Sequence, residues 1–343
     1  MNIVVLCGGI STEREISISS GTMVCKGLRE YGHNAVLMDV YFGLDSLDVF
    51  EKAEKSYDVD AESAVIRSYS EKLEEEKKVR KRFFGKNVLE LCQEADIVFM
   101  ALHGKYGEDG LCQAAFDLNG IKYTGSGYLA SAIGMDKGAT KQMFLAYGVP
   151  TANSVWIKKG EDTNLSIYEM EYPVVVKACN GGSSVGVYIV NNEEEYNEAV
   201  KMCFELDDEI LVEDYIKGRE FSIGVLAGKA LPVVEIIPKK GWYDYKNKYE
   251  AGAVDEICPA KLSDELTEKM QRVAEQACKS LGCEPYSRAD ILMDDDENMF
   301  CLEVNTLPGM TPTSLIPREA KAIGIDFPML CNMLVELSLE KYQ

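Results

Sequence analysis

Two triplets concentrate the chemistry of this 343-residue sequence: Arg288-Ala289-Asp290 and Glu303-Val304-Asn305. Apolar residues separate them, apart from the turn-rich Asp294-Asp295-Asp296-Glu297-Asn298, so the spacing predicts two strands joined by a short hairpin. Side chains two apart on a strand share a face, which groups Arg288 with Asp290 and Glu303 with Asn305. Three hard oxygen ligands, Asp290, Glu303 and Asn305, would then converge beside a guanidinium. Such a set suits magnesium, which keeps part of its water shell and takes phosphate oxygens as further ligands. On these residues alone, a solvated acidic hairpin explains the pattern equally well.

The run that follows, Thr306-Leu307-Pro308-Gly309-Met310-Thr311-Pro312-Thr313-Ser314-Leu315, holds too much Pro and Gly for a regular element. Its free N–H groups and hydroxyls can hold a carboxylate or an oxyanion, and a plain connector is the alternative. Upstream, Gly181-Gly182-Ser183-Ser184-Val185-Gly186 lies between two apolar strands, with Lys177 ending the first. A glycine loop lets backbone amides approach a phosphate while a lysine supplies charge, although an ordinary turn fits the loop by itself. Neither this loop nor Gly8-Gly9 matches a P-loop or a dinucleotide fingerprint.

Three further stretches could take part. Glu213-Asp214-Tyr215-Ile216 and Gly218-Arg219-Glu220 set carboxylates at strand boundaries, where they could grip a ribose and flank a base, or simply face water. Trp242–Tyr249 is aromatic and basic without strand or helix periodicity, a packed corner or a lid. His103–Gly110 follows a buried strand at its carboxyl end, where α/β sheets hold ligands. His103 suits a general base or a loop-anchoring hydrogen bond.

The elements that position these residues read as α/β and α+β. Residues 3–7 form a buried strand closed by Gly8-Gly9, then come a helix from about Ile16 to Tyr31 and a strand at Ala35–Val40, the opening of a doubly wound unit. A helix near Val88–Glu94, a strand at Asp96–Leu102 and a strand around Tyr123-Thr124 continue it. Between them, at about 43–86, lies an insertion dense in both charge signs, with helical spacing over Glu71–Arg82 and nothing that demands chemistry. Beyond the linker at Tyr147–Pro150 we expect strands at Tyr172–Lys177, Val187–Val190, Glu209–Val212, Glu220–Leu226, Ala230–Ile237, Ala289–Met293 and Asn298–Val304. Helices are expected at Glu193–Leu206, Asp264–Leu281, Pro317–Ile323 and Phe327–Leu339, with 239–256 irregular.

Composition narrows the partners. Against 57 acidic side chains stand 36 basic ones, a net charge of −21, which disfavours nucleic acid and anionic membranes and means that a bound polyphosphate needs local lysine, arginine or metal. Eleven cysteines form no C-x-x-C pair, and several lie in apolar runs, so reduced buried thiols are expected. The apolar start is short and lacks a basic n-region, and no stretch approaches a membrane span, which predicts a cytoplasmic protein.

Taken in order, these segments resemble the D-alanine–D-alanine ligase family of the ATP-grasp superfamily. The resemblance covers nearly the whole chain: Gly8–Glu15, the His103 loop, Gly125-Ser126-Gly127 with Met135-Asp136-Lys137, the Ser183 loop, Tyr243–Tyr249, Arg288–Asp290 and Glu303–Leu315. It implies an ATP-grasp fold with an N-terminal Rossmann-like domain, divided at 1–125, 126–217 and 218–343. It also implies ATP-dependent joining of two D-alanines through an acylphosphate, for peptidoglycan precursors, in a homodimer.

Roles follow by the same resemblance. Glu13 would meet the first ammonium, and Glu13, Ser183 and Tyr249 would form a hydrogen-bonded set. Lys137, Lys177, Ser184 and Lys248 would meet the phosphates, Glu213 and Tyr215 the adenine, and Glu220 the ribose. Asp290, Glu303 and Asn305 would hold two magnesium ions, with manganese as a substitute. Arg288 and the Gly309 amide would stabilise the oxyanion, while Ser314, the Leu315 amide and His103 would serve the second substrate. Relatives that form depsipeptides carry histidine where Tyr249 stands, which disfavours D-lactate. D-serine as second substrate, and a catalytically silent nucleotide-binding protein, are the alternatives. Ala178-Cys179 replaces the family's usual proline after the phosphate lysine, and the 43–86 insertion is longer than in compact relatives.

Overall fold

The structure is a computed structural model that describes residues 1–182, 185–239 and 254–343. Its first sheet grows from short apolar runs that do not alternate, as strands buried on both faces require. β1 (Asn2–Cys7) leads through α1 (Arg14–Tyr31) to β2 (Asn34–Asp39). The charged insertion forms α2 (Val49–Lys55), α3 (Val59–Ser68) and α4 (Leu73–Val79), and α5 (Val88–Glu94) then delivers β3 (Ile97–Met100). The three strands are parallel in the order β2-β1-β3. The strand expected at Tyr123-Thr124 is reduced to one bridge, Val98 to Tyr123.

The insertion is built of several short helices. A 3-10 turn at Tyr69–Glu71 interrupts it, and α4 covers only part of Glu71–Arg82. Val59, Ile66 and Leu73 recur every seven residues and are buried, so the insertion packs an apolar stripe inward and sends its charges out.

Helices α6 (Leu111–Leu118), α7 (Tyr128–Met135) and α8 (Lys137–Tyr147) lead to a second sheet. It comprises β4 (Ser154–Lys158), β5 (Val174–Ala178), β6 (Val187–Val190) and, after α9 (Glu193–Leu206), β7 (Glu209–Asp214). The order is β4-β7-β5-β6, all antiparallel, with α9 residues Tyr196, Ala199, Val200 and Cys203 packed on it. Strand β4 was not expected from the sequence.

The third sheet contains β8 (Arg219–Leu226), β9 (Lys229–Ala230), β10 (Val234–Pro238) and β11 (Val254–Ile257), followed by α10 (Asp264–Leu281), β12 (Tyr286–Met293) and β13 (Met299–Asn305). The order is β11-β10-β8-β12-β13, with β9 on β8. The continuous strand expected over Ala230–Ile237 is broken at Leu231-Pro232-Val233, because Pro232 has no N–H to give a ladder. Part of the stretch read as irregular pairs as β11. Helix α10 covers one face through Met270, Val273, Ala274 and Ala277, leaving the other for chemistry.

The chain closes with α11 (Leu315–Ala322) and α12 (Phe327–Glu340). Leu330, Cys331, Leu334 and Val335 of α12 join the same core as Ile3, Val5 and Leu28, so the last helix packs on the first sheet. No single helix among the described residues is long and apolar enough to cross a membrane.

Candidate active site

Alternation on β12 sends Ala289, Ile291 and Met293 into the α10 core and turns Arg288 and Asp290 to the opposite face. On β13, Cys301 and Val304 both enter that core although they are three positions apart, an odd step that plain alternation would send to opposite faces. A bulge reconciles them: Asp290 pairs with Glu303, and Ile291 with Cys301. The register then sets Arg288 opposite Asn305 and Asp290 opposite Glu303. Arg288 grips Asp290 with a fork, Nε to Oδ1 at 2.9 Å and Nη2 to Oδ2 at 2.8 Å. Ser222, across on β8, donates to Asp290 Oδ1 at 2.6 Å. The Asn305 amide donates to Asp290 at 3.1 Å and approaches Glu303 at 3.4 Å.

The segment after β13 folds on itself. Ser314 is the N-cap of α11, yet its hydroxyl serves Thr311 instead, accepting from the Thr311 N–H at 3.0 Å and lying 2.9 Å from Thr311 Oγ1. The first-turn N–H groups of α11 therefore have no side-chain cap, an arrangement suited to a carboxylate. Gly309 adjoins this turn: a Cβ there would stand 3.2 Å from Ser314 Oγ.

Beneath Arg288, Gly224 of β8 and Glu319 of α11 approach closely. A Cβ at Gly224 would lie 2.4 Å from Glu319 Oε2, which accepts the Gly224 N–H at 2.9 Å. Glu319 is wholly buried, and its Oε1 has no hydrogen-bond partner among the described residues. Burial pushes its carboxyl up to about 8 against the Gly224 bond and the Arg288 charge. The folded chain thus holds a proton there that the unfolded chain loses above its ordinary 4.5, so stability falls as pH rises between those values. Glu319→Gln keeps an acceptor for Gly224 and removes the titration. We expect it to be about 3–5 kcal/mol more stable than the natural chain at pH 8, the gap shrinking towards pH 5. Urea unfolding at both pH values checks this, and a pH-independent gap would contradict it.

The first sheet contributes Glu13, His103 and Glu108. Glu13 occupies the N-cap position of α1. Its Oε2 lies 2.9 Å from where a Cβ on Gly104 would stand and 3.2 Å from one on Gly182, so the carboxylate lies between the His103 loop and the glycine loop. His103 is buried, lies 3.2 Å from Ser20 Oγ and hydrogen-bonds the Leu307 backbone. Burial lowers its pKa despite the nearby Glu13 charge, leaving a neutral imidazole at neutral pH. Glu108 accepts the Gly104 N–H, and loss of water plus the Glu13 charge push its carboxyl up to about 8. Arg288 acts electrostatically on both His103 and Glu108, which brings the first and third sheets to one site.

The second sheet contributes the cations. Lys137 begins α8 and donates to the Gly181 carbonyl at 2.6 Å. Lys177 of β5 contacts Glu213 of β7, and Lys141, one helical turn after Lys137, reaches the other Glu213 oxygen at 2.5 Å. Lys141 and Glu213 are buried. Burial opposes ionisation of Glu213, but the two lysines overrule it and hold the carboxyl at about 2. Lys137 thus holds the glycine loop whose Gly182 lies against Glu13.

Comparison with known proteins gives this geometry a family. The family model described as D-ala D-ala ligase N-terminus matches residues 2–126, and that described as D-ala D-ala ligase C-terminus matches residues 143–336. The chain belongs to the D-alanine–D-alanine ligase family. It is 43% identical to the D-alanine–D-alanine ligase of Pediococcus pentosaceus, over 98% of this chain and 97% of that protein. The Bacillus anthracis ligase complexed with ATP superposes with a TM-score of 0.77 at 31% identity, covering 99% of this chain and 97% of that one. The Coxiella burnetii ligase gives 0.79 at 27% identity, covering 100% and 95%. The fold is therefore ATP-grasp, preceded by the Rossmann-like β2-β1-β3 unit.

Against the expectations for a ligase of this family, the structure brings together Asp290, Glu303, Asn305 and Arg288, and sets Gly309, Ser314 and Leu315 in one turn. Glu213 is placed differently from a side chain lying against adenine, because its carboxylate is enclosed by two lysines. Tyr215 is partly exposed just past β7, and Glu220 is half-buried near the start of β8. Ser183, Ser184, Lys248 and Tyr249 lie outside the described residues. Sequence reasoning missed Lys141, Glu108, Ser222 and Glu319. The four-residue step from Lys137 could have found Lys141, and Glu108 stood in a loop already singled out. Ser222 and Glu319 have no signal without the strand register.

Proposed function

We propose that this chain uses ATP to join two D-alanines into D-alanyl-D-alanine, supplying peptidoglycan precursors from the cytoplasm. The observation that carries the reading is the single sheet face that holds Arg288 and the Asp290–Glu303–Asn305 cluster, with the Gly309–Leu315 segment following directly on β13 and leading into the helix whose Glu319 meets β8. In this reading the carboxylate of the first D-alanine, its ammonium held by Glu13, attacks the γ-phosphorus, and ADP leaves. The amine of the second D-alanine then attacks the acylphosphate carbonyl, and the tetrahedral intermediate expels phosphate. Arg288 and the Gly309 N–H receive the oxyanion, worth about 3–4 kcal/mol per donor. Ser314 and the Leu315 N–H receive the second carboxylate. His103, bonded to the Leu307 backbone, would anchor the segment that receives the second substrate, and the departing phosphate takes the proton shed by the attacking amine.

Lys137 and Lys177 face the phosphates, with Ser184 and Lys248 assigned there by family resemblance. Tyr215, Glu220 and the Glu213 backbone take the nucleoside, and Ser183 and Tyr249 complete the set with Glu13. Asp290, Glu303 and Asn305 would hold two magnesium ions, or manganese, which supply positive charge to the phosphate oxygens when bound. The residues fit: the Asn305 N–H now stands between the Asp290 and Glu303 carboxylates, where a cation would, and turning the amide presents its oxygen. We divide the chain at 1–125, 126–217 and 218–343. Exposed Leu111, Leu118, Tyr128 and Leu129 on adjacent α6 and α7 support a homodimer.

Coupled assays with D-alanine, D-serine or D-lactate offered as second substrate test the specificity. Catalytic efficiency is expected to be highest with D-alanine and lowest with D-lactate. A higher efficiency with D-serine would overturn the choice of D-alanine.

A further inference from the structure

We propose that the charged insertion between β2 and α5 positions the binding site of the first amino acid, acting through Ser70 and Ile66 on Arg14 and so on Glu13. The proposal rests on the assignment of Glu13 to the first D-alanine.

Arg14 follows Glu13 at the start of α1 and is almost wholly buried. A buried guanidinium must find acceptors for its N–H groups. Here Nη1 donates to the Gly9 carbonyl at 2.8 Å, and Nη2 pairs with Asp39 at 2.6 Å. The insertion supplies the others: the Ile66 carbonyl to Nη2 and the Ser70 hydroxyl to Nε, both at 3.1 Å. Gly8 leaves no room for drift, since a Cβ there would stand 2.3 Å from Asp39 Oδ2 and 2.8 Å from Arg14 Nη1.

The contacts continue along α1. Ser70 also donates to Glu15 at 2.8 Å, Arg67 reaches Glu15 at 2.6 Å and Ser19 at 2.9 Å, and Ser63 meets Thr22 at 2.7 Å. Residues 15, 19 and 22 share one helical face, so α3 and the turn after it lie along α1 as a splint. The Arg67–Glu15 pair is exposed and contributes little. Ser70 decides the matter, because it bridges the buried Arg14 to Glu15 on either side of one peptide bond. Loss of that bridge leaves Nε–H short of an acceptor and frees the turn that carries Glu13, whose carboxylate must hold its place between Gly104 and Gly182.

The test compares the natural chain with Ser70→Ala, Arg67→Ala/Ser70→Ala and Ser70→Thr, using Arg272→Ala on remote α10 as a control. Dipeptide synthesis is measured while D-alanine and ATP are varied in turn, and thermal unfolding is followed alongside. The Michaelis constant for D-alanine should rise about fivefold or more in the double variant, that for ATP should stay within about twofold, and Ser70→Thr should restore the natural value. An unchanged D-alanine constant, or equal changes for both substrates tracking a lowered Tm, would overturn the proposal and leave the insertion a packing element. Absence of dipeptide synthesis by the natural chain would instead refute the proposed reaction itself.

Discussion

Arg288→Ala is expected to bind ATP nearly as well as the natural chain and to make dipeptide at least about a hundredfold more slowly. The guanidinium lies on the chemical face of β12 and acts on His103 and Glu108 from the first sheet and on Glu319 of α11, the helix that Ser314 begins. It can therefore reach a developing oxyanion, whereas the cations proposed for the phosphates, Lys137 of α8 and Lys177 of β5, belong to other elements. Asp290 would lose its fork but keep Ser222 and Asn305, so the variant should fold. Arg288→Lys should recover little, because an ammonium cannot copy the two-pronged grip on Asp290. Calorimetric ATP binding with steady-state rates checks this, and near-normal turnover in Arg288→Ala would remove the oxyanion role.

Glu213→Gln should be strongly destabilising, costing about 3–5 kcal/mol at neutral pH. It leaves Lys141 and Lys177 facing each other across a neutral amide in a buried site, with like charges no longer offset. Glu213 is held at about 2, below its ordinary 4.5, so the stability it provides is complete above 4.5 and is lost as pH falls towards 2. The gap between natural and variant chains should accordingly narrow below pH 4.5 in denaturant unfolding. ATP should also stabilise the variant less, since Lys177 would lose its anchor. Equal stability at pH 7 would mean that the lysines settle without Glu213.

Much of this site was legible in the sequence because its parts are local. The Arg288–Asp290 and Glu303–Asn305 triplets sit on a hairpin whose turn residues announce it, and strand alternation does the rest. The bulge between them was not legible, since only the burial of both Cys301 and Val304 requires it. Residues such as Glu319 and Ser222 act across strands distant in sequence, and their neighbours are set by register that a periodicity cannot supply. The insertion's contacts with α1 were hidden for a related reason. Its charges read as solvated, and most are, but the contacts that matter are a serine hydroxyl and a backbone carbonyl turned to the buried Arg14. Pro232 split a strand that composition alone joined, and Glu213, assigned by resemblance to the adenine, carries its carboxylate at the centre of a buried lysine pair.

The most direct measurement is phosphate release by the natural chain with ATP and magnesium, with and without D-alanine, alongside chromatographic quantification of dipeptide. We expect release that depends on D-alanine, one phosphate for each D-alanyl-D-alanine formed, and almost none in the blank. Phosphate release indifferent to D-alanine, or D-alanine-dependent release without dipeptide, would contradict the account.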